Sequence, residues 1–297
     1  MSFFIEVLAG GLLAGVRYSL VALGFVLIYK ASGVFNFAQG SLVFFAALTF
    51  VSLTERGWNF WLALLATLIA MILVGMAIER TVLRPLVNQP PITLLMATIG
   101  LTFVLEGASQ LMWGSQPHGL ELGIPDVPIE WITDRSGMNI SKFDLVASGI
   151  AGGRVAVLAL FFNKTRIGRA LRAVADDHQA ALAVGIPLQH IWAIVWAVAG
   201  FVALVAGMMW GVRNGVQYAL TFTALKALPV LILGGFESIA GAIVGGLIIG
   251  AGEKLAEVYL GPYVGGGIES WFAYVIALLF LLVRPEGLFG EKIIDRV

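Results

Sequence analysis

The sequence predicts an all-α protein that crosses a membrane many times. Three observations carry this. Of 297 residues, 59% are hydrophobic and 12% are charged, and the mean hydropathy is +0.94. The apolar residues fall in runs long enough to cross a bilayer, which takes ~20 residues per helix. None of the polar breaks is longer than thirty residues, so no large soluble domain fits between them. In lipid the backbone must satisfy its own hydrogen bonds, and apolar runs of this length do so as helices.

Runs and breaks place spans at 6–29, 37–53, 59–79, 92–113, 144–162, 190–212, 218–234, 239–258 and 268–283. The count is eight or nine, transmembrane or re-entrant. The first run begins almost at Met1 and lacks a basic leader and a small-residue cleavage site, so it reads as a retained span. The second and seventh are short, which fits re-entrant or broken helices. The 36 glycines allow helices to approach closely. Cysteine is absent, which excludes disulfides, thiolate catalysis and Cys-ligated metals. Net charge is zero, so no nucleic-acid partner is implied.

Lys and Arg in the connections set an expected orientation. One set of ends holds ten: Lys30, Arg80, Arg84, Lys164, Arg166, Arg169, Arg172, Arg284, Lys292 and Arg296. The other holds five: Arg56, Arg135, Lys142, Arg213 and Lys254. The richer side reads as cytoplasmic, which puts the N-terminus outside and the C-terminus inside. The stretch 114–143, with Pro117, Pro125, Pro128 and four acids, then falls outside. The stretch 163–189 falls in the cytoplasm. An internal echo, Gly33-x-Phe35-x4-Gly40 against Gly234-x-Phe236-x4-Gly241, fits a structural repeat as well as it fits chance in a Gly-rich chain.

The cytoplasmic stretch is the most polar part of the chain. Thr165 to Pro187 carries Arg166, Arg169, Arg172, Asp176 and Asp177. Arg169, Arg172 and Asp176 share a helical face, and Ile167, Leu171 and Val174 lie on another. Gly185 and Pro187 read as a stop. The expected element is a surface helix of four to five turns. The same pattern also suits a solvated amphipathic connector with no partner.

Four segments resemble one family. Arg166-x-Gly168-Arg169-Ala170-x-Arg172, continuing to Asp177 and Gly185-Ile186, is similar to the cytoplasmic loop of bacterial branched-chain amino acid ABC permeases of the LivH type. Asn36-Phe37-Ala38-Gln39-Gly40, Gly234-Gly235-Phe236-Glu237-Ser238-Ile239-Ala240-Gly241-Ala242 and Arg284-Pro285-x-Gly287-Leu288-Phe289-Gly290 resemble that family's other motifs, in the same order. Phe236-Glu237 stand where Gly and Ile-like residues are common in that family. The resemblance implies one transmembrane permease domain over 1–297, with the ABC importer permease fold of the branched-chain type. It implies a second, LivM-like permease, two ABC ATPase subunits and a periplasmic binding protein, in a bacterial inner membrane. It implies ATP and Mg²⁺ on the ATPases and no cofactor on this chain; the Gly-rich phosphate loop is also absent from the sequence. The segment 163–189 would be the coupling element, with Arg166, Gly168, Arg169, Arg172, Asp176, Asp177 and Gly185 as its matched residues.

Candidates for the translocation path come from polarity inside spans, where ionisable groups are costly. They are Arg17, Glu106, Arg154, Lys226, Glu253 and Glu269. Glu253 and Lys254 read as snorkelling near an outer helix end. Arg17 and Lys226 fit a solute contact or a buried structural pair, Glu106 being one partner open to Arg17. Asn36 and Gln39, three apart at the head of a short span, fit either a polar-solute contact or satisfaction of a broken backbone. The tryptophans read as an interfacial belt. The three histidines lack metal-ligand spacing, and no metal site is expected.

The leading reading is a transport subunit that makes and breaks no bonds. A stand-alone secondary transporter or facilitator is the alternative. An intramembrane protease, suggested superficially by Gly107-x-Ser109, lacks a His in a following span to act as base.

Overall fold

The computed structural model describes residues 2–86 and 89–290. In chain order the α-helices are α1 (Ser2–Ser32), α2 (Gln39–Glu55), α3 (Phe60–Ile78), α4 (Pro91–Trp113), α5 (Glu130–Ser136), α6 (Lys142–Lys164) and α7 (Arg166–Asp176). Then come α8 (His178–Ala183), α9 (Leu188–Asn214), α10 (Leu220–Leu225), α11 (Leu228–Gly234), α12 (Ile239–Tyr259), α13 (Gly261–Val264) and α14 (Phe272–Val283). No strand forms among the described residues. Isolated bridges pair His118 with Val216 and Pro128 with Ser141. Lys292 and Arg296, counted toward orientation, lie outside the described residues.

Six helical stretches are long and apolar enough to cross a membrane: Phe3–Ser32, Phe60–Leu86, Pro91–Trp113, Lys142–Lys164, Leu188–Asn214 and Ile239–Tyr259. Gln39–Glu55 and Phe272–Val283 are apolar but shorter. The short seventh run is a broken element, α10 and α11, with a turn at Lys226 and Ala227 and Pro229 in the first turn of α11. Pro supplies no N–H and fits a first helical turn, so the chain restarts there.

The helices group into two compact units, one of 1–26, 122–157 and 226–297, the other of 27–121 and 158–225. In the first, α12 packs on α11 and α14. It also crosses α1 through small residues. A Cβ on Gly250 would overlap the backbone of Gly11 and Gly15, and one on Gly15 would meet the Gly246 carbonyl. Ser19 completes the stripe, its hydroxyl donating to Gly15 O at 2.9 Å and Ile243 O at 3.2 Å. Lipid tails are as apolar as the helices, so this close approach is what holds them together. The Arg284–Gly290 motif has a structural task here. Leu288 N donates to Leu233 O (2.8 Å) and Phe289 N to Gly234 O (3.1 Å), satisfying carbonyls that α11 leaves open at its end.

Arg17 is buried in this unit and pairs with Asp144, Nη1 to Oδ1 at 2.8 Å. The partner is thus Asp144, in the first turn of α6, rather than Glu106. A carboxylate there also meets the positive end of the helix dipole. Asp144→Asn keeps an acceptor but removes the negative charge that faces the buried guanidinium at 2.8 Å. We expect it to lower stability by about 1–3 kcal/mol, read from the thermal midpoint in detergent. Glu253 also departs from expectation: it is buried and bonded to the Tyr18 hydroxyl, so it does not snorkel. Lys254 instead pairs with Glu269 at 3.0 Å.

In the second unit α9 lies against α2 and α3, and α2 also packs on α4 and α10. Phe50, Met71 and Trp196 fill its core. Trp192 and Trp210 are buried here and do not join an interfacial belt. Trp192 Nε1 donates to Ala31 O at 2.9 Å, which holds α9 to the end of α1. Trp58, Trp61, Trp131 and Trp271 are exposed, as a belt requires.

Candidate translocation and coupling sites

The second unit contains a polar cluster deep among its helices. Ser32 closes α1 by donating to Ile28 O, and Gly33 leaves the helix at φ +70°. The next residues form a break before α2. Asn36 Oδ1 accepts from Ala38 N at 3.1 Å and its Nδ2 faces Gln39 Oε1 at 3.4 Å. Gln39 Nε2 reaches Ala199 O on α9 at 3.4 Å, and Phe37 N reaches Thr98 Oγ1 on α4 at the same distance. Asn36 and Gln39 are fully buried. Asn36 satisfies a backbone N–H of the break that no helix pairs, the requirement lipid imposes, while Gln39 ties the head of α2 to α9.

One step further along, Ser41 donates to Glu106 Oε1 at 3.0 Å and Tyr218 donates to Oε2 at 3.2 Å. Glu106 sits on α4, seven residues before Trp113, roughly 10 Å from that helix end at 1.5 Å per residue. It is 6% exposed, and no cationic side chain pairs with it among the described residues. Beside it opens a cleft of about 320 Å³, lined by Glu106, Tyr218, Thr221, Thr102 and the rings of Phe37, Phe103 and Phe222, among others. The Thr221 hydroxyl is buried and has no hydrogen-bond partner among the described residues. Gly40 makes this packing possible: a Cβ there would overlap the Thr221 carbonyl.

The second site is the polar connection after α6. Thr165 caps α7, its Oγ1 accepting from Gly168 N at 3.2 Å. Gly168 lies so close to the Phe162 carbonyl that any Cβ would overlap it. The same carbonyl, an open acceptor at the end of α6, takes a bond from Arg172 Nη1 at 2.8 Å. Leu171 and Val174 are buried, while Arg166, Arg169 and Asp176 are exposed. The expected helix of four to five turns is in fact two helices. At Asp177 the backbone is extended (φ −158°, ψ 113°), and its carboxylate accepts from Gln179 N (2.8 Å) and Ala180 N (3.0 Å). Asp bonds its own backbone readily, and here it caps α8 instead of continuing α7. Gly185 then ends α8 at φ +83°. Leu182 and Val184 are exposed at that end, Val184 by 75%.

A family model described as branched-chain amino acid transport system / permease component matches residues 7–284. The chain belongs to this permease family. Two curated relatives agree along nearly its full length. The permease is 29% identical to the LivH permease protein of the high-affinity branched-chain amino acid transport system of Salmonella typhimurium, covering 99% of this chain and 98% of the relative. It is also 29% identical to the BraD permease protein of Pseudomonas aeruginosa, again covering 99% and 98%. Among solved structures, a chain of "PsaBC from Streptococcus pneumoniae in complex with Fab" shares its fold, with a TM-score of 0.55 at 13% identity and coverage of 96% and 97%. The permease is a multi-pass inner-membrane protein of the ABC importer permease family.

Of the sequence candidates, Asn36 and Gln39 come together at the head of α2. Arg17, in the first unit, is tied to Asp144. Lys226 is part-buried at the turn between α10 and α11 and acts electrostatically on Glu253. Arg172 faces its own chain, whereas Arg166 and Arg169 face outward. Tyr218 and Thr221 escaped sequence reasoning. Two polar residues at the head of a broken, Pro-containing span were the available signal. Ser109, of the superficial protease motif, donates to Leu105 O at 2.7 Å and is fully buried.

Proposed function

We propose that this permease is the membrane subunit of an ATP-driven importer for branched-chain or related amino acids, working by alternating access. It would pair with a second, LivM-like permease, take solute from a periplasmic binding protein and be driven by two ABC ATPase subunits holding ATP and Mg²⁺. The N-terminus lies outside and the C-terminus inside, with about eight or nine transmembrane or re-entrant helices between them.

The observation that carries the reading is the outward face of α7. Arg166, Arg169 and Asp176 are exposed there, while the inward face is buried and bonded to the end of α6. A charged surface held rigidly to a membrane helix can receive a push and pass it on, which a loose connector cannot. In proteoliposomes containing the four membrane and ATPase subunits and supplied with the binding protein, Arg169→Glu with Asp176→Lys is expected to cut ATP-driven leucine uptake roughly tenfold. Asp177 stays untouched, since it caps α8. Wild-type uptake in that variant would refute the coupling role. Leucine flux through the purified permease alone, without ATPases, would favour a facilitator.

A further inference from the structure

We propose that the cleft beside Glu106 binds the ammonium group of a solute, a reading that rests on the importer assignment above and names the chemistry its substrate must present. Glu106 is a buried carboxylate within a membrane helix. Its partners, Ser41 and Tyr218, are neutral hydroxyls. A carboxylate has about four acceptor positions, so two donors leave capacity for a third and fourth N–H. Burying a charge without a counter-charge is strongly unfavourable, and an arriving cation removes that penalty. Thr221 adds a hydroxyl with no partner among the described residues. Phe37, Phe103 and Phe222 supply ring faces, which attract an ammonium and accept an apolar side chain.

The same chemistry excludes other ligands. A divalent ion needs several oxygen ligands with more charge than one carboxylate brings. An anionic group would meet Glu106 unfavourably. Arg17, a cationic candidate for a solute contact, has its guanidinium tied to Asp144. At about 320 Å³ the cleft falls at the small end of the range for solute sites. A compact primary ammonium with a branched apolar tail therefore fits it best.

The test is equilibrium binding to the purified full-length permease in nanodiscs, without ATPase subunits. The probes are 3-methylbutylamine, which carries only the ammonium and the tail, and 4-methylpentanoate, which carries only the carboxylate. The amine should bind saturably and the acid should not. Glu106→Gln should weaken amine binding roughly ten- to hundredfold. Thr221→Val, which keeps shape and loses the hydroxyl, should weaken it roughly threefold. Thermal melts report whether each variant is folded, and Thr221→Val still decides the matter if Glu106→Gln is not. Equal binding of acid and amine, no amine binding to the wild type, or unchanged binding in the folded variants would overturn the proposal. Because this assay needs no ATP, its failure is distinct from failure of the coupling test on Arg169 and Asp176.

Discussion

Gly250→Val is expected to disrupt the first unit, with a stability loss on the order of 3 kcal/mol or more. The reason is geometric. α12 meets α1 where Gly246 and Gly250 face Gly11, Gly15 and Ser19, and even one added carbon at Gly250 would overlap the Gly11 and Gly15 backbone. Two further methyls would have to push the helices apart along their length. In water a partly separated pair still gains from excluding solvent. In lipid it gains nothing comparable, because association there comes from close packing itself. The thermal midpoint in detergent should fall sharply.

Gly10→Val is the matched control. It lies on α1, the other helix of the crossing, one residue from Gly11, and nothing lies within 4 Å of its Cβ position. Both substitutions change helix propensity in the same way. Any difference between them therefore isolates the crossing. If the two variants melt within ~2 °C of each other, close approach at Gly250 contributes little.

What could be read from the sequence follows from the physics of each feature. The helices were legible because lipid forces the backbone into continuous hydrogen-bonded runs, and hydropathy reports such runs directly. The break inside the seventh run was legible for the same reason, through its shortness and Pro229. The split at Asp177 was not. An Asp in a helical pattern reads as a surface residue until its carboxylate is seen to bond Gln179 N and Ala180 N. Arg17 announced a partner but not which one, since Asp144 is 127 positions away. Glu106 was visible as a costly charge, yet its meeting with Ser41, Tyr218 and Thr221 depends on how α2, α4 and α10 pack. Pairing of this kind leaves no periodicity for a sequence pattern to reveal. The Gly11, Gly15, Gly246 and Gly250 spacing was present in the sequence but submerged among 36 glycines.

Gly168→Val is expected to abolish most of the coupling while leaving solute recognition intact. Gly168 and Arg172 act on one atom, the Phe162 carbonyl oxygen. Gly168 lets α7 approach it, and Arg172 bonds it at 2.8 Å. A valine at 168 cannot occupy that position, so α7 must lift from the end of α6 and the Arg172 bond is lost with it. The exposed Arg166, Arg169 and Asp176 would then sit on a helix no longer fixed to a membrane span. Force applied to them would be dissipated in rotation of α7 instead of reaching α6. ATP-driven uptake should fall at least roughly tenfold. Amine binding at the Glu106 cleft should stay at its wild-type value, since the substituted position lies on α7 and the cleft is built from α2, α4 and α10 with the segment before it. Arg172→Gln, which retains a donor on a shorter arm, should show a smaller loss in the same direction. The pair of measurements separates transmission from folding. A misfolded permease would lose both activities together, whereas a permease with a detached α7 would lose uptake alone. Wild-type uptake in Gly168→Val would mean that rigid attachment of α7 to α6 is not how movement reaches the spans.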